Sequence, residues 1–213
     1  MAEFYPLYLR LEKESCLVVG GGNVAERKVK KLLNSGAIIT VISPRLTLGL
    51  LELKEKAQIR HIAREYKNQD LKDAFLVFCA TDNKNVNQQV AEYCKDQKIL
   101  VNIVDDPVKC SFFVPAVVRQ GPLSIAISTS GRSPMMAARI REQLEDTYGP
   151  EYADFLELLG QVRMELLQSV SDDQKRREIL EQILQSDILK LYKEKRYDKI
   201  KERVQDAYRR CGC

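Results

Sequence analysis

A single histidine, His61, stands among the 213 residues, and the six cysteines (Cys16, Cys79, Cys94, Cys110, Cys211 and Cys213) are scattered. Neither a zinc-binding Cys/His spacing nor a disulfide framework is present. No metal ligand set is expected. Cys16 and Cys79 lie in apolar, strand-like runs and read as small buried hydrophobes, which points to a reducing cytoplasm. His61 falls in a short polar stretch and reads as a surface residue rather than a ligand. The terminal Cys211-Gly212-Cys213 reads as an incidental C-x-C in a frayed tail running from Arg209 to Cys213. No apolar run reaches transmembrane length, so no membrane partner is expected. The opening MAEFYPLYLRLEKE turns charged within a few residues and does not read as a signal peptide. A net charge of +4 permits an acidic ligand without demanding nucleic acid. Internal repeats and low-complexity tracts are absent.

What the chain does have is room for one ordinary domain and something smaller, with an apolar fraction of 45% to build a core. The stretch CLVVGGGNVAERKVKKLL, from Cys16 to Leu33, dominates it. An apolar run too short for a helix ends in β-branched residues and reads as a buried strand. Gly20, Gly21 and Gly22 follow, then a helical pattern from Asn23 to Leu33. Gly20, Gly22 and Ala25 fit G-x-G-x-x-A. Gly20 permits the tight turn, Gly22 lets a pyrophosphate approach the backbone, and Ala25 lets helix and strand pack closely. The helix start offers free N–H groups to phosphates. A glycine turn that only packs is the alternative.

The rest of the first half alternates strand and helix. Phe4 to Leu9 is expected to pack across the sheet. Ala37 to Ser43, Ile59 to Ile62, Ala74 to Ala80 and Ile99 to Val104 read as strands, and Leu46 to Lys56 and Asn85 to Lys95 as helices. Alternation of this kind predicts an α/β, Rossmann-type, doubly wound parallel sheet. From Phe112 the pattern changes. Phe112 to Arg119 and Leu123 to Ser128 read as two strands around a turn at Gln120-Gly121-Pro122. Ser133 caps a helix with Pro134 at its first position. Charged helices with apolar residues at helical spacing follow, including one pattern that runs from Ile179 through Leu184 to Leu191. The expected division is 1–113, a nucleotide-binding domain; 114–150, a smaller segment; and 151–213, a helical domain.

Several residues stand where chemistry is expected. Asp105 ends a strand at the edge where open α/β sheets bind ligands, so it reads as a general base or as a turn former before Pro107. Thr81, Asp82 and Asn83 end the central strand and read as a ribose site or as helix caps. Ser43, Pro44 and Arg45 end the second strand. The acid that usually binds an NAD ribose is missing at Ser43 and Pro44, and an arginine suits a 2′-phosphate, so the residues leave NAD versus NADP open. The loop Ser128, Thr129, Ser130, Gly131, Arg132, Ser133 can bind anions through hydroxyls, N–H groups and a guanidinium. Lys109, Arg119, Arg139 and Arg141 add positive charge, or simply face solvent.

Ordered blocks carry a resemblance. These are Tyr5 to Leu9, Val19 to Lys28, Ala80-Thr81-Asp82 with Asn87, Asn102 to Asp105 with Ser111 to Pro115, and Ser128 to Pro134. Together they resemble the precorrin-2 dehydrogenase family, the N-terminal module of siroheme synthases, over residues 1 to about 150. The resemblance implies NAD-dependent oxidation of precorrin-2 to sirohydrochlorin in siroheme (tetrapyrrole) biosynthesis, in a homodimer whose shared interface lies after about Val114. It implies NAD as the cofactor, held by the glycines together with Asn23, Val24, Ser43, Pro44, Arg45, Ala80, Thr81 and Asp82. Asp105 matches the catalytic aspartate. Lys109 and the Ser128–Arg132 loop would face the substrate's carboxylates. Some members also insert ferrous iron, and many bacterial stand-alone members do not. No room is expected for the methyltransferase domain of fused relatives. A regulatory nucleotide-binding module without turnover, or another small-molecule dehydrogenase, are the competing readings.

Overall fold

The computed structural model describes residues 4–211. The chain divides into two compact units, one ending at Val114 and the next beginning at Pro115.

In the first unit, β1 (Ser15–Val19), β2 (Ile38–Ile42), β3 (Arg60–Ile62), β4 (Leu76–Cys79) and β5 (Leu100–Ile103) form one sheet in the order β3-β2-β1-β4-β5. Every pairing is parallel. Parallel neighbours need crossovers, and these are supplied by α1 (Asn23–Leu33), α2 (Leu48–Glu55), a 3-10 turn (Asn68–Leu71) and α3 (Lys84–Asp96). Central strand β4 is apolar and buried at every position because both its faces are covered. Strand alternation sends Cys16, Val18, Ile39, Val41, Leu76 and Phe78 to the α1 face, where Ala25, Val29 and Leu50 meet them. Leu17, Val19, Ile42, Val77, Cys79 and Ile103 go to the other face, against Val90, Ala91 and Cys94 of α3. The Rossmann-type expectation holds.

Some local expectations do not. Phe4 to Leu9 takes no regular structure and does not cover the sheet: Phe4, Tyr5, Leu7 and Tyr8 are exposed, and Phe4 stacks edge-on against Phe113. The strand expected from Phe112 starts only at Ala116. Ser111 and Phe112 are tied to β5 instead, with the Ser111 amide donating to Val101 O at 2.9 Å and Asn102 Nδ2 donating to Phe112 O at 3.1 Å. Pro115 then has no N–H to offer a ladder.

In the second unit, β6 (Ala116–Gln120) and β7 (Leu123–Ile127) form an antiparallel hairpin. Gly121 turns it with φ of 55°, and a Cβ there would lie 2.7 Å from that of Ala153. Glycine therefore serves both the turn and a close approach. Five helices follow: α4 (Pro134–Thr147), α5 (Glu151–Ser169), α6 (Asp173–Leu184), α7 (Ile188–Lys193) and α8 (Ile200–Arg210). The apolar faces of α5 to α8 meet in a core of Phe155, Val162, Leu166, Ile179, Ile183, Ile188, Leu191, Ile200 and Ala207, while α4 packs on the hairpin. The pattern from Ile179 to Leu191 is two helices, not one. Ser186 breaks it by donating its hydroxyl to Ile183 O at 2.7 Å and accepting from the Ile188 amide at 3.3 Å. The tail expected to fray from Arg209 stays helical through Arg210, and Cys211 packs against this core. Gly212 and Cys213 lie outside the described residues. Among the described residues no helix is long and apolar enough to cross a membrane.

Candidate active site

The carboxyl ends of β1, β2, β4 and β5 bring four of the singled-out groups to one edge of the sheet. The glycine turn comes directly after β1. Gly20 has φ of 119°, and a Cβ on it would strike the Ala80 carbonyl. A Cβ on Gly21 would strike Arg45 O and Ser43 Oγ. Both glycines are therefore demanded by the protein itself, because the β2–α2 and β4–α3 loops press on them. Gly22 differs. It is exposed, its φ is −86°, and a Cβ there would meet nothing within 4 Å. It caps α1 without any side-chain hydrogen bond, so the first amides of the helix lack a helical partner. Unpartnered amides at a helix start can receive an anionic group.

The β2–α2 loop closes one flank. Ser43 is buried, and its hydroxyl donates to Arg45 O at 2.7 Å, while the Thr47 amide donates to Gly21 O at 3.0 Å. Pro44 and Arg45 are exposed. Glu26, in the first turn of α1, would repel a phosphate if left free. It is held instead by Lys30 Nζ and Thr47 Oγ1, both at 2.5 Å, and these hydrogen bonds, Lys30 first, lower its pKa. His61 is a correction: it is half-buried, not a surface group. Its Nε2 lies 2.9 Å from Ser43 O, which requires the proton on that nitrogen, and its buried Nδ1 has no hydrogen-bond partner. It thus supports the strand end that carries Ser43.

At the end of β4, Ala80 and Thr81 are half-buried and Asp82 is exposed. The cap of α3 is Asn83, whose Oδ1 accepts from the amides of Asn85 and Val86 at 3.0 and 3.3 Å. Asn87 Nδ2 donates to Thr81 O at 3.1 Å, and Cys79 Sγ donates to Asn87 Oδ1 at 3.1 Å. One amide side chain thereby pins the loop to its own strand.

Asp105 lies two residues past β5. It is exposed, with φ of 63°, and its carboxylate makes no hydrogen bond among the described residues. Aspartate and asparagine tolerate this left-handed backbone better than most side chains. Its neighbour Asp106 is engaged, 2.7 Å from Lys109 Nζ, so Lys109 is part of an ion pair. The segment is anchored by Cys110, whose Sγ donates to Ile103 O at 3.2 Å and accepts from the Ile103 amide at 3.2 Å.

The Ser128–Arg132 loop belongs to the second unit. Ser130 and Gly131 both have positive φ, of 52° and 76°. Ser128 Oγ accepts from the Ser130 amide at 3.1 Å, and Thr129 Oγ1 accepts from the Ser133 amide at 3.1 Å. Ser133 Oγ accepts from the Met136 amide at 3.1 Å, so it caps α4 with Pro134 in first place. Arg132 and Arg139 are exposed, whereas Arg141 is held by Glu142 and Glu145. A cleft of about 700 Å³ in the same unit is lined by Tyr192, Tyr197 and Tyr208 with Lys201 and Arg209. It lies on the helices and contains none of the singled-out residues. No cluster of three or more His, Cys, Asp or Glu that could hold a metal ion occurs among the described residues.

Sequence reasoning misses Thr47, Asn87 as a brace, and Lys28. Thr47 is signalled as a short polar residue at a helix start, whereas Asn87 lies within α3 and carries no such signal. By sequence Lys28 is only part of a helical face. In the fold it is half-buried, with Nζ 4.9 Å from the centroid of the Phe78 ring.

Comparison with known proteins agrees with this geometry. The profile of the family described as "Putative NAD(P)-binding" matches residues 7–116, and that of "Sirohaem biosynthesis protein central" matches residues 120–147. A siroheme synthase of Thioalkalivibrio sulfidiphilus is 35% identical over 96% of this chain and 42% of its own length. One of Photobacterium profundum is 36% identical over 85% of this chain and 39% of its own. The chain thus spans about two-fifths of the length of these curated relatives. A solved structure titled "SirC, precorrin-2 dehydrogenase" superposes with a TM-score of 0.80 at 30% identity, covering 97% of this chain and 100% of that one. With an NAD(P)-binding profile over residues 7–116 and a counterpart matched from end to end, the chain belongs to the precorrin-2 dehydrogenase family, the NAD(P)-binding module found also within siroheme synthases.

Proposed function

We propose that this protein oxidises precorrin-2 to sirohydrochlorin with NAD as the acceptor. The observation that carries the reading is the end-to-end match to a precorrin-2 dehydrogenase structure. Gly22 and the amides of Asn23 and Val24 would hold the pyrophosphate, with Ser43, Pro44 and Arg45 at the adenosine ribose and Ala80, Thr81 and Asp82 at the nicotinamide ribose. Bound NAD supplies the hydride acceptor. The substrate loses one hydride and one proton, and the proton goes to Asp105, whose carboxylate is exposed and not engaged in hydrogen bonds. The protein's main contribution is to hold two large ligands in register. Arg132, Lys109 and the hydroxyls of Ser128, Thr129 and Ser130 suit a substrate rich in carboxylates. We further read the protein as a cytoplasmic homodimer. No disulfide joins the described cysteines, and each strand of the β6–β7 hairpin pairs on one side only, which leaves edges that a second copy would cover.

The test is to mix the protein with precorrin-2 and NAD and follow NADH. Stoichiometric NADH with sirohydrochlorin supports the reading. Tight NAD binding with no NADH would leave a regulatory module, and turnover only with NADP would correct the cofactor. Asp105→Asn keeps the left-handed backbone, so the variant should fold, bind NAD normally and lose at least ~100-fold in turnover. Full activity in that variant would reduce Asp105 to a turn former.

A further inference from the structure

Two consecutive side chains close the outer edge of β5. That strand is the last of its sheet, so alternate backbone groups face outward with no ladder to join. At Val101, Ser111 Oγ accepts from the amide at 2.7 Å and donates to the carbonyl at 3.2 Å. At Ile103, Cys110 Sγ does the same, with both distances 3.2 Å. Cys110 reaches further than Ser111. Its Sγ also lies 3.3 Å from Asp106 O, so its single proton is shared between the carbonyls of Ile103 and Asp106. Those two residues are the ends of a tight turn, closed by a long hydrogen bond from the Asp106 amide to Ile103 O at 3.4 Å. Val104 and Asp105 form its apex, and Asp105 takes the left-handed position, with φ of 63°. The half-buried thiol therefore spans the mouth of the turn that carries Asp105. Burial is the largest influence on its pKa and pushes it up, which keeps the proton on sulfur. The turn has one other brace, the Asp106–Lys109 ion pair. Its side chains are 33% and 32% exposed, and water weakens it.

We propose that Cys110 is a positioning residue for the oxidation: its thiol clamps the two ends of the Ile103–Asp106 turn and so fixes where the Asp105 carboxylate meets the substrate. The inference rests on the dehydrogenase reading above, with Asp105 as the proton acceptor. The Asp105 side chain is exposed and makes no hydrogen bond among the described residues, so its backbone is what sets its place. A side chain other than glycine in the left-handed region is strained and persists where its surroundings hold it. A reacting group displaced by about 1 Å can lose on the order of 10²-fold in rate. Supporting hydrogen bonds behind such a group therefore matter even though they touch no ligand. Ser111 makes the same kind of contact to β5 without reaching the turn, so it separates support of the strand from support of Asp105.

The test compares Cys110→Ala, which removes the clamp, with Cys110→Ser, which keeps a donor and an acceptor, and with Ser111→Ala. Cys110→Ala should lower kcat for precorrin-2 oxidation about 10-fold and leave KM for both ligands within about 2-fold of the parent, since binding survives and the proton acceptor is misplaced. Cys110→Ser should recover most of that loss. Ser111→Ala should keep kcat within about 2-fold, because the turn is untouched. In an Asp105→Asn background, Cys110→Ala should cost nothing further. Cys110→Val, which suits the extended backbone at this position, repeats the comparison if the alanine variant does not fold. Unchanged kcat without the thiol overturns the proposal, as does an equal loss in Ser111→Ala or a further loss in the Asp105→Asn background. A second readout needs no turnover. In the whole protein, the Ile103 and Asp106 amides should exchange with solvent at least ~10-fold faster without the thiol. The Val104 amide, which donates to Cys79 O at 2.9 Å, should keep its rate. If Ile103 and Asp106 exchange as in the parent, the thiol does not hold the turn and the proposal fails, whatever the substrate proves to be. If they speed up but the wild-type protein yields no NADH, it is the dehydrogenase reading that has failed, and the clamp stands without that reaction.

Discussion

Three consecutive glycines do not share one job, and the protein itself leaves only Gly22 open. Gly20 and Gly21 are compelled by the Ala80 carbonyl and by Arg45 and Ser43, whereas nothing in the protein lies within 4 Å of a Cβ at Gly22. Substitution should separate folding from binding. Gly22→Asp should leave the thermal midpoint nearly unchanged and weaken NAD binding at least ~100-fold, since both a side chain and a negative charge enter the phosphate cradle. Calorimetry on the variant checks this, and unchanged affinity would move the cofactor elsewhere. The strand–glycine–helix pattern makes this site legible from sequence, because it is local: neighbours in sequence are neighbours in the turn. Lys28 is not legible, since its meaning depends on Phe78, fifty residues further along. His61 misleads for a similar reason. Its partner, Ser43 O, lies just past the end of the adjacent strand, and a polar stretch in sequence hides a pairing across strands.

At the scale of elements, β3 is an edge strand of three residues, and the loop after it holds it in place. Arg64 donates to both oxygens of Asp70, at 2.7 and 2.5 Å, and the Lys67 amide donates to Asp70 at 2.8 Å. The Arg64 hydrogen bonds are the main cause of a lowered Asp70 pKa, with burial opposing them. A carboxylate depressed in the folded state stabilises at pH values above its unfolded pKa, near ~3.9, and loses that contribution as pH falls through the lower folded value. Asp70→Asn should therefore lower the urea midpoint between pH 5 and 7. The gap from the parent should close as pH drops below about 4. A gap independent of pH would mean that shape, not charge, is what matters at Asp70. Element type is readable wherever burial is continuous, as in Leu76–Cys79, or a cap is explicit, as at Ser133. Boundaries fail where a side chain competes for the backbone. Ser186 splits one apolar periodicity into two helices, and Ser111 draws its segment onto β5 before β6 can begin.

At the scale of the whole molecule, the second unit sets a condition on assembly. A two-stranded sheet alone is marginal, and this one is backed by α4 and α5 while each of its strands pairs with one neighbour only. The protein should sediment as a dimer at micromolar concentration, and a monomer there would count against the shared interface. The first unit offers a different consequence. Its three buried thiols are distributed over the two sides of the sheet, Cys16 with α1 and Cys79 and Cys94 with α3. Burial, aided at Cys16 by Glu14, pushes their pKa values up to about 11, 12 and 12. Thiolate is the reactive form, so in the closed protein these sulfurs are silent toward alkylating reagents at neutral pH. Modification must wait for an opening that admits both water and reagent. Nature has thus left three internal clocks in the nucleotide-binding unit. The order in which they are alkylated records which layer of helices lifts first, and cofactor that clamps the strand ends would slow them all.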